Sequence, residues 1–229
     1  ATDGSVTGES PEIVEKIFQK MGIETIKPVL TEWGSLIPGL RASRFDLIAA
    51  GMYITPERCK QVLFTDPHYQ LQDTLLVKAG NPKQLQSYED IAKDESIKLA
   101  IMSGTVNLNY ARKAGIKDSQ IVQVPDTTSQ LQAVRTGRAD AAVGTQLTMR
   151  GLAEKAGDQV EATDDFKDDP ANTGYGALAF RPEDKALRDA VNAELKKWLG
   201  SDDHLKTVEP FGFDRSNITD KTAEELCSA

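Results

Sequence analysis

Apolar residues recur every three to four positions in two stretches of this chain, the spacing of a helix with one buried face. The first stretch, SPEIVEKIFQKM at residues 10–21, opens with a serine that can cap a helix and a proline suited to the first turn, and Gly22 follows it. The second, PEDKALRDAVNAELKKWLG at residues 182–200, repeats leucine or valine at every fourth position. Both stretches predict amphipathic helices, the first with Ser10 as its N-cap.

Short continuous apolar runs, bounded by glycine, proline or polar residues, predict strands between the helical patterns. Strands and helices therefore alternate, which is typical of an α/β fold. The predicted strands are residues 26–30, 45–51, 73–80, 98–102, 121–125, 139–144 and 173–180, and the further predicted helices are residues 35–43, 87–94, 106–115 and 129–137.

The alternation starts afresh part-way along the chain, which indicates two α/β lobes rather than one. We expect residues 1–77 and 174–229 to form the first lobe and residues 78–173 to form the second. The strands at 73–80 and 173–180 would be the two crossings, because each lies where one α/β series ends and the other begins.

Composition and charge narrow the classes of partner. The 229 residues are 39% hydrophobic and 27% charged, as in an ordinary folded protein, and the net charge is -8. A negative chain repels the phosphate backbone, so we expect no nucleic-acid partner. No apolar run approaches the roughly 20 residues that a spanning helix requires, and no targeting peptide is evident at the start. We therefore expect a soluble chain that is at most peripheral to a membrane.

The two cysteines, Cys59 and Cys227, lie far apart in the sequence, and neither has metal-ligand spacing to a histidine or to the other. We expect no metal site and no cofactor. With only two histidines to serve as a base, a nucleophilic thiol is also not expected. A structural disulfide and two unrelated free thiols remain open. We predict the disulfide, which would indicate an oxidising, extracytoplasmic compartment.

Several motifs together resemble the polar amino acid class of solute-binding proteins of ABC transporters, over essentially the whole chain. Within that class, EWGSLIPGL, GMYITPERC and the ending EELCSA resemble the branch that binds ectoine and hydroxyectoine. The motifs of the wider class are WGSLIPGLRASRFDLIAAGMYITPERCKQVLFTDPHY at residues 33–69, SGTVNLNYARKAG at 103–115, LQAVRTGRADAAVG at 131–144 and YGALAFRPEDKALRDAVNAELKKW at 175–198.

This resemblance implies a periplasmic binding protein type 2 fold, in which two lobes close over a small ligand in the cleft between them. Members of the class begin with a strand and a turn, and by the resemblance this chain starts at Ala1 within that turn and lacks the strand. We therefore expect the first strand of lobe 1 to be missing and a neighbouring strand to be left unpaired.

The resemblance assigns a ligand-binding role to three residues of the first long motif. Arg58 matches the arginine that receives a ligand carboxylate, a task suited to the paired donors of a planar guanidinium. Trp33 matches a stacking aromatic residue. Tyr53 lies where binders of α-amino acids carry a small hydroxyl residue, and a ring there favours a delocalised cation.

Further candidate residues follow the later motifs. Thr105 matches a hydroxyl donor at the start of a helix, Gly104 lies in the turn beside it, and Gly51 ends the predicted strand before Tyr53. Thr145 and Ala50 replace an aspartate and a serine of the class, so two partners for a primary ammonium group are missing. We predict no catalytic residue.

These residues predict a monomeric receptor that binds a small zwitterionic compatible solute, ectoine or hydroxyectoine, and delivers it to the permease of an ABC importer. A polar amino acid or a betaine is the alternative ligand. A cyclic-acid dehydratase on the same fold and the sensor domain of a signalling receptor are further alternatives. The expected location is the periplasm, or the outer surface of the cell in association with the membrane.

Overall fold

The computed structural model describes residues 6–228, and that range contains ten α-helices and nine strands. The helices are α1 Glu9–Lys20, α2 Leu36–Arg41, α3 Pro56–Cys59, α4 Tyr88–Lys93, α5 Asn107–Lys113, α6 Thr127–Arg135, α7 Gln146–Ala156, α8 Lys185–Trp198, α9 Asp202–Val208 and α10 Ala223–Ser228. The strands are β1 Leu47–Tyr53, β2 Leu63–Phe64, β3 Tyr69–Leu71, β4 Asp73–Lys78, β5 Leu99–Met102, β6 Ile121–Val124, β7 Ala141–Thr145, β8 Val160–Ala162 and β9 Gly174–Phe180.

These elements form two units, each an α/β unit with its own sheet. Within the described range, the first unit takes the chain up to Thr31, then Ser35–Gln70, and the chain from Gly174 onward. The second unit takes Glu32–Gly34 and Leu71–Thr173. Two α/β units were predicted from the alternation of elements, and the structure contains both.

The first unit is built on β9, which lies between β1 and β2 and is antiparallel to both, while β3 also pairs with it. The predicted apolar faces of α1 and α8 pack into one core with this strand. Ile13 and Ile17 of α1, Val191 and Leu195 of α8, and Phe180 of β9 are all almost completely buried there. Each such side chain stabilises the fold by about 1.5 to 3 kcal/mol relative to exposure.

The second unit contains a five-stranded sheet in the order β6-β5-β7-β4-β8. Strands β5, β6 and β7 are parallel, so their carboxyl ends lie along one edge of the sheet. Strand β4 is antiparallel to β7 and therefore begins at that same edge, with Asp73 directly opposite Thr145. Successive residues of β4 point to opposite faces, and Leu75 and Leu76 accordingly belong to two different apolar clusters.

One predicted strand is absent. Residues 26–30 have no regular secondary structure, and Leu30 is 82% exposed. A strand needs a neighbour for its backbone groups, and no described strand pairs with this segment; β1, for its part, pairs only with β9 among the described strands. The expectation that a first strand precedes the chain stays a prediction.

Other differences concern the ends of elements and elements without a clear pattern. Helix α1 has Gly8 as its N-cap, and the hydroxyl of Ser10, the predicted cap, instead donates to Glu9 Oε2 over 2.7 Å. Helices α3, α7, α9 and α10 and the short strands β2, β3 and β8 were not predicted. Strands of two or three residues are too short to show a period, and α7 buries only Met149.

The start of α1 is fixed by a buried hydrogen bond between Glu9 Oε1 and His68 Nδ1, which are 2.6 Å apart. His204 of α9 is 2% exposed, and its Nδ1 accepts a hydrogen bond from the backbone N–H of Gly200. Burial lowers the pKa of His204, and the carboxylates of Glu9 and Asp203 oppose that shift without cancelling it. His204 is therefore held in its neutral form more strongly in the folded chain than in the unfolded one.

We expect the folded state to lose stability on acidification through this histidine. As the pH falls below about 6.5, the unfolded chain takes up a proton at His204 and the folded chain does not, at a cost of at most about 1.4 kcal/mol per pH unit. His204→Asn retains an acceptor for Gly200 and should reduce the slope of unfolding free energy between pH 7 and pH 5. The measurement is urea unfolding across that range, and an unchanged slope in the variant would contradict the assignment.

Candidate functional site

Arg58 is held in a short turn that follows β1. Thr55 caps helix α3 by accepting a hydrogen bond from the backbone N–H of Arg58, and Pro56 occupies the first helical position. The Arg58 side chain is bent back onto the strand, because its Nη1 donates to the carbonyl oxygen of Tyr53 over 2.7 Å. With 9% of the residue exposed, the guanidinium has a defined orientation rather than a free surface position.

The turn that carries Arg58 is also tied to the end of the chain. The next residue, Cys59, forms a disulfide with Cys227 of α10, with the two Cα atoms 5.7 Å apart. The predicted pairing is thus confirmed. A disulfide of this kind fixes α10 against α3 and limits the movement of the backbone beside Arg58.

Helix α10 has a second anchor at its other end. The carboxylate of Asp66 accepts hydrogen bonds from the backbone N–H of Ala223 and from Asn192, and it pairs with Lys196 at 2.7 Å. Burial raises the pKa of Asp66, but the bonds from Lys196, Ala223 and Asn192 outweigh it and hold that pKa below its ordinary value. The stabilisation from this carboxylate is therefore present above its unfolded pKa of about 4 and is lost as the pH falls further.

Tyr53 ends β1 and lies across from Gly176 of β9. Its ring is packed against Gly174 so closely that a Cβ atom there would collide with ring carbons. The residue is 7% exposed, and its ring makes an edge contact with Tyr69 at a centroid distance of 6.3 Å. Core packing therefore accounts for much of the ring, and its contact with a ligand stays a prediction.

Gly51 precedes these residues in a left-handed backbone conformation, with φ of +58°. Its carbonyl oxygen accepts a hydrogen bond from the hydroxyl of Tyr69 over 2.7 Å. A side chain at this position would be strained by the backbone angle and would also approach the Tyr69 hydroxyl to 2.5 Å. Gly51 therefore shapes the strand that leads to Tyr53 and Arg58.

In the second unit, Trp33 packs on the turn that follows β5. Its indole Nε1 donates to the carbonyl oxygen of Gly104 over 3.2 Å, and the residue is half-buried. Gly104 has φ of +83°, and a Cβ there would lie 3.0 Å from the Cα of Gly34. The two glycines thus allow the backbone of residues 33–34 to approach the turn closely.

Thr105, which follows β5, and Thr145, the last residue of β7, lie at the same edge of the second sheet. The Thr105 hydroxyl donates to the carbonyl oxygen of Met102, and the Thr145 hydroxyl donates to Oγ1 of Thr148. Both protons are thus directed to groups of the protein, and each hydroxyl oxygen keeps its capacity to accept. The predicted role of Thr105 as a donor requires its hydroxyl to rotate when a ligand binds.

The same edge of the second sheet also contains a buried carboxylate, that of Asp73, which was not predicted from the sequence. Asp73, 4% exposed, accepts a hydrogen bond from Asn107 Nδ2, which also lies 3.3 Å from the hydroxyl of Tyr88. Burial raises the pKa of Tyr88 well above its ordinary value, and the charge of Asp73 adds to that shift. The available signal was an acidic residue at the first position of a predicted strand, which marks a carboxylate at a strand end.

The candidate residues therefore fall into two groups. Gly51, Tyr53 and Arg58 share one stretch of the first unit. The residues Trp33, Gly104, Thr105 and Thr145 belong to the second unit. Among residues 6–228 the structure contains no cluster of three histidine, cysteine or acidic side chains that could hold a metal ion.

Known proteins that are similar to this chain indicate which family contains these two groups of residues. Residues 1–211 match the bacterial extracellular solute-binding proteins, family 3. A relative from Sinorhizobium fredii, the probable amino-acid ABC transporter periplasmic-binding protein y4tE, is 37% identical over 99% of this chain and 77% of its own length. The chain belongs to this family of solute-binding proteins.

Two solved structures support the same assignment at the level of the fold. The crystal structure of EhuB in complex with hydroxyectoine has a TM-score of 0.92 and 35% identity, covering 100% of this chain and 89% of EhuB. The ancestral amino acid-binding protein AncCDT-1, a precursor of cyclohexadienyl dehydratase, has a TM-score of 0.80 and 29% identity, covering 92% and 88%. The predicted two-lobe periplasmic binding protein type 2 fold is confirmed.

Membership of the family settles the broad function. The chain is an extracytoplasmic solute-binding protein for an ABC importer of amino-acid-like ligands, and it is a binding protein rather than an enzyme. No helix in the described range is long and apolar enough to cross a membrane. The permease of the importer is the partner that such a protein supplies with its ligand.

The contact between Tyr53 and Gly174 should be specific enough to measure. We expect Gly174→Ala to destabilise the first unit by about 1 to 3 kcal/mol, because the added methyl group displaces the ring. The same change in a Tyr53→Ala background should cost much less, since the colliding ring is gone. Chemical unfolding of the four proteins gives the coupling energy, and strictly additive effects would contradict the close packing.

Proposed function

We propose that this solute-binding protein is a receptor for a small zwitterionic compatible solute, ectoine or hydroxyectoine, which it delivers to an ABC importer. The observation that carries the proposal is the turn after β1, in which the guanidinium of Arg58 is oriented by the carbonyl oxygen of an aromatic residue, Tyr53. Support also comes from the likeness to EhuB, whose crystal structure is a complex with hydroxyectoine, at 35% identity over the whole of this chain.

Arg58 supplies the contact for the ligand carboxylate. A guanidinium can give two parallel, charge-assisted hydrogen bonds to the two oxygens of one carboxylate, which fixes both the position and the plane of that group. The bond from Nη1 to Tyr53 holds the side chain in one orientation before the ligand arrives. Less conformational entropy is then lost on binding than with a mobile surface arginine.

The aromatic residues fit the other end of such a ligand. The cation of ectoine is a ring amidinium, which is delocalised and has few N–H groups to satisfy. A face of Trp33 or Tyr53 attracts a cation of this kind by about 0.5 to 2 kcal/mol. Thr145, which stands where the class has an aspartate, carries no charge for a primary ammonium group, and this favours the delocalised cation.

A polar amino acid is the second candidate ligand, and one observation favours it. Asp73 places a buried carboxylate directly across from Thr145, so the edge that lacks the aspartate at 145 still contains an acidic group. The Sinorhizobium relative, named as a probable amino-acid binding protein, is consistent with that candidate. Glycine betaine would use the same arginine and aromatic residues without needing an ammonium acceptor.

We further propose that the receptor acts as a monomer, in the periplasm or attached at the outer face of the membrane. One chain contains every residue of the two candidate groups, so a second copy is not needed to supply a ligand contact. The disulfide between Cys59 and Cys227 favours an oxidising compartment outside the cytoplasm.

Calorimetry against ectoine, hydroxyectoine, glycine betaine, glutamine, arginine and histidine tests the ligand class, with ectoine or hydroxyectoine expected to bind tightest. Arg58→Ala should weaken that binding by about 2 to 5 kcal/mol, the range for removing one partner of a buried charged pair. The matched control is Arg181→Ala. Arg181 is also 9% exposed and also donates through Nη1 to a main-chain carbonyl, that of Phe45, over 2.7 Å.

The control should lower stability and leave the affinity of the folded protein unchanged. An Arg58→Ala protein that folds and binds within about twofold of the parent would remove Arg58 from the site. Tightest binding of an α-amino acid by the parent would replace the compatible solute with the second candidate.

We expect reduction of the disulfide to weaken ligand binding before the first unit unfolds. Cys59 adjoins Arg58, so its release from Cys227 frees the backbone that orients the guanidinium, while stability falls by up to about 5 kcal/mol. The measurement is ectoine affinity and near-ultraviolet circular dichroism with increasing dithiothreitol. A Cys59→Ser, Cys227→Ser double variant should not respond to the reductant. Affinity that stays constant until the circular dichroism signal collapses would contradict the coupling.

A further inference from the structure

Tyr69 is a buried residue that contacts both β9 and β1, the strand that leads to the candidate ligand contacts. It is 6% exposed, and its ring packs so closely on Gly176 of β9 that a Cβ there would collide with it. The ring also contacts Phe213, at a centroid distance of 5.0 Å, and makes an edge contact with Tyr53. Its hydroxyl donates to the carbonyl oxygen of Gly51 over 2.7 Å.

The hydrogen bond from Tyr69 meets β1 at its one irregularity. The pairing of β1 with β9 shifts register between Ile48 and Met52, and Gly51 lies in that interval with a left-handed backbone. A bulge of this kind decides which face of the sheet the following residues present. The Gly51 carbonyl oxygen is directed to the Tyr69 hydroxyl, and that bond holds the bulge in place.

The residues after the bulge are those that orient Arg58. Two positions beyond Gly51, the carbonyl oxygen of Tyr53 accepts the hydrogen bond from Arg58 Nη1. The backbone N–H of Ile54 then donates to the carbonyl oxygen of Tyr175, which returns the strand to β9. A shift of the bulge would therefore move the acceptor on which the guanidinium rests.

We propose that Tyr69 is a positioning residue for carboxylate recognition, which fixes the Gly51 bulge and through it the Tyr53 carbonyl and the Arg58 guanidinium. The proposal rests on the role of Arg58 in the proposed function. Tyr69 can thereby influence which ligands the protein prefers without touching the ligand. Its effect should appear as discrimination between a carboxylate and a neutral group of the same shape.

Tyr69→Phe tests this, because the ring stays on Gly176 and only the hydrogen bond to Gly51 is lost. The matched control is Trp198→Phe, which removes an indole whose hydrogen bond, to Asp203 over 2.6 Å, joins α8 to α9 of the same unit and does not involve β1. Two measurements are made on the parent and both variants. One is hydrogen–deuterium exchange of the backbone at residues 51–58 without ligand, and the other is calorimetry with ectoine and with its carboxamide.

We expect exchange at residues 51–58 to rise about tenfold in Tyr69→Phe and to stay at the parental rate in Trp198→Phe. Ectoine affinity should fall about fivefold to tenfold in Tyr69→Phe while carboxamide affinity changes less than about twofold, so the preference for the carboxylate declines. Trp198→Phe should keep the parental preference for ectoine over its carboxamide, although this variant is less stable than the parent.

Unchanged exchange at residues 51–58 in Tyr69→Phe, or an equal rise in the control, would overturn the proposal. So would an unchanged preference for the carboxylate in a variant that binds ectoine. If the parent binds neither probe, the proposed function fails, and the exchange result alone then decides whether Tyr69 holds the bulge.

Discussion

The close approach of two tyrosine rings to β9 is the constraint on which the candidate site of the first unit depends. Gly174 and Gly176 have no side chains, and the rings of Tyr53 and Tyr69 occupy the space that side chains would fill. The rings pack closely on the central strand, while the Tyr69 hydroxyl reaches the carbonyl oxygen of Gly51 and the Tyr53 carbonyl oxygen accepts the bond from Arg58. The position of the arginine thus depends on packing against β9, a strand that is distant from it in the sequence.

The second unit builds its candidate group in a different way. Parallel strands bring their carboxyl ends to one edge, so Thr105 in the turn after β5 and Thr145 at the end of β7 lie at the same edge. Asp73 joins them because β4 runs in the opposite direction and starts there. Here the topology of the sheet gathers the residues, whereas in the first unit close packing on glycine does so.

The sequence allowed much of the fold to be predicted because its helices and strands have strong local patterns. The faces of α1 and α8 are regular enough to locate the core residues Ile17 and Leu195 in advance. The pairing of Cys59 with Cys227 was also predicted, since no other cysteine competes. Residues 26–30 failed as a strand because an apolar run specifies a strand only when a neighbour is present to pair with it.

The candidate site was predictable only where a residue type carries its own chemistry. The resemblance assigned a ligand carboxylate to Arg58, and a guanidinium that follows a buried strand is chemically suited to that predicted role. Tyr69 and Asp73 were missed because their roles come from contacts distant in sequence, with Gly51 and Gly176 for the tyrosine and with Asn107 for the aspartate. No local period or spacing encodes such contacts.

The central claim is that the oriented guanidinium of Arg58 receives the carboxylate of a zwitterionic ligand. A crystal structure of the protein with ectoine bound tests it most directly. We expect both carboxylate oxygens to lie about 2.7 to 3.0 Å from nitrogen atoms of the Arg58 guanidinium, and the bond from Nη1 to the Tyr53 carbonyl oxygen to be retained. A bound ectoine molecule whose carboxylate makes no contact with Arg58 would contradict this role of the arginine.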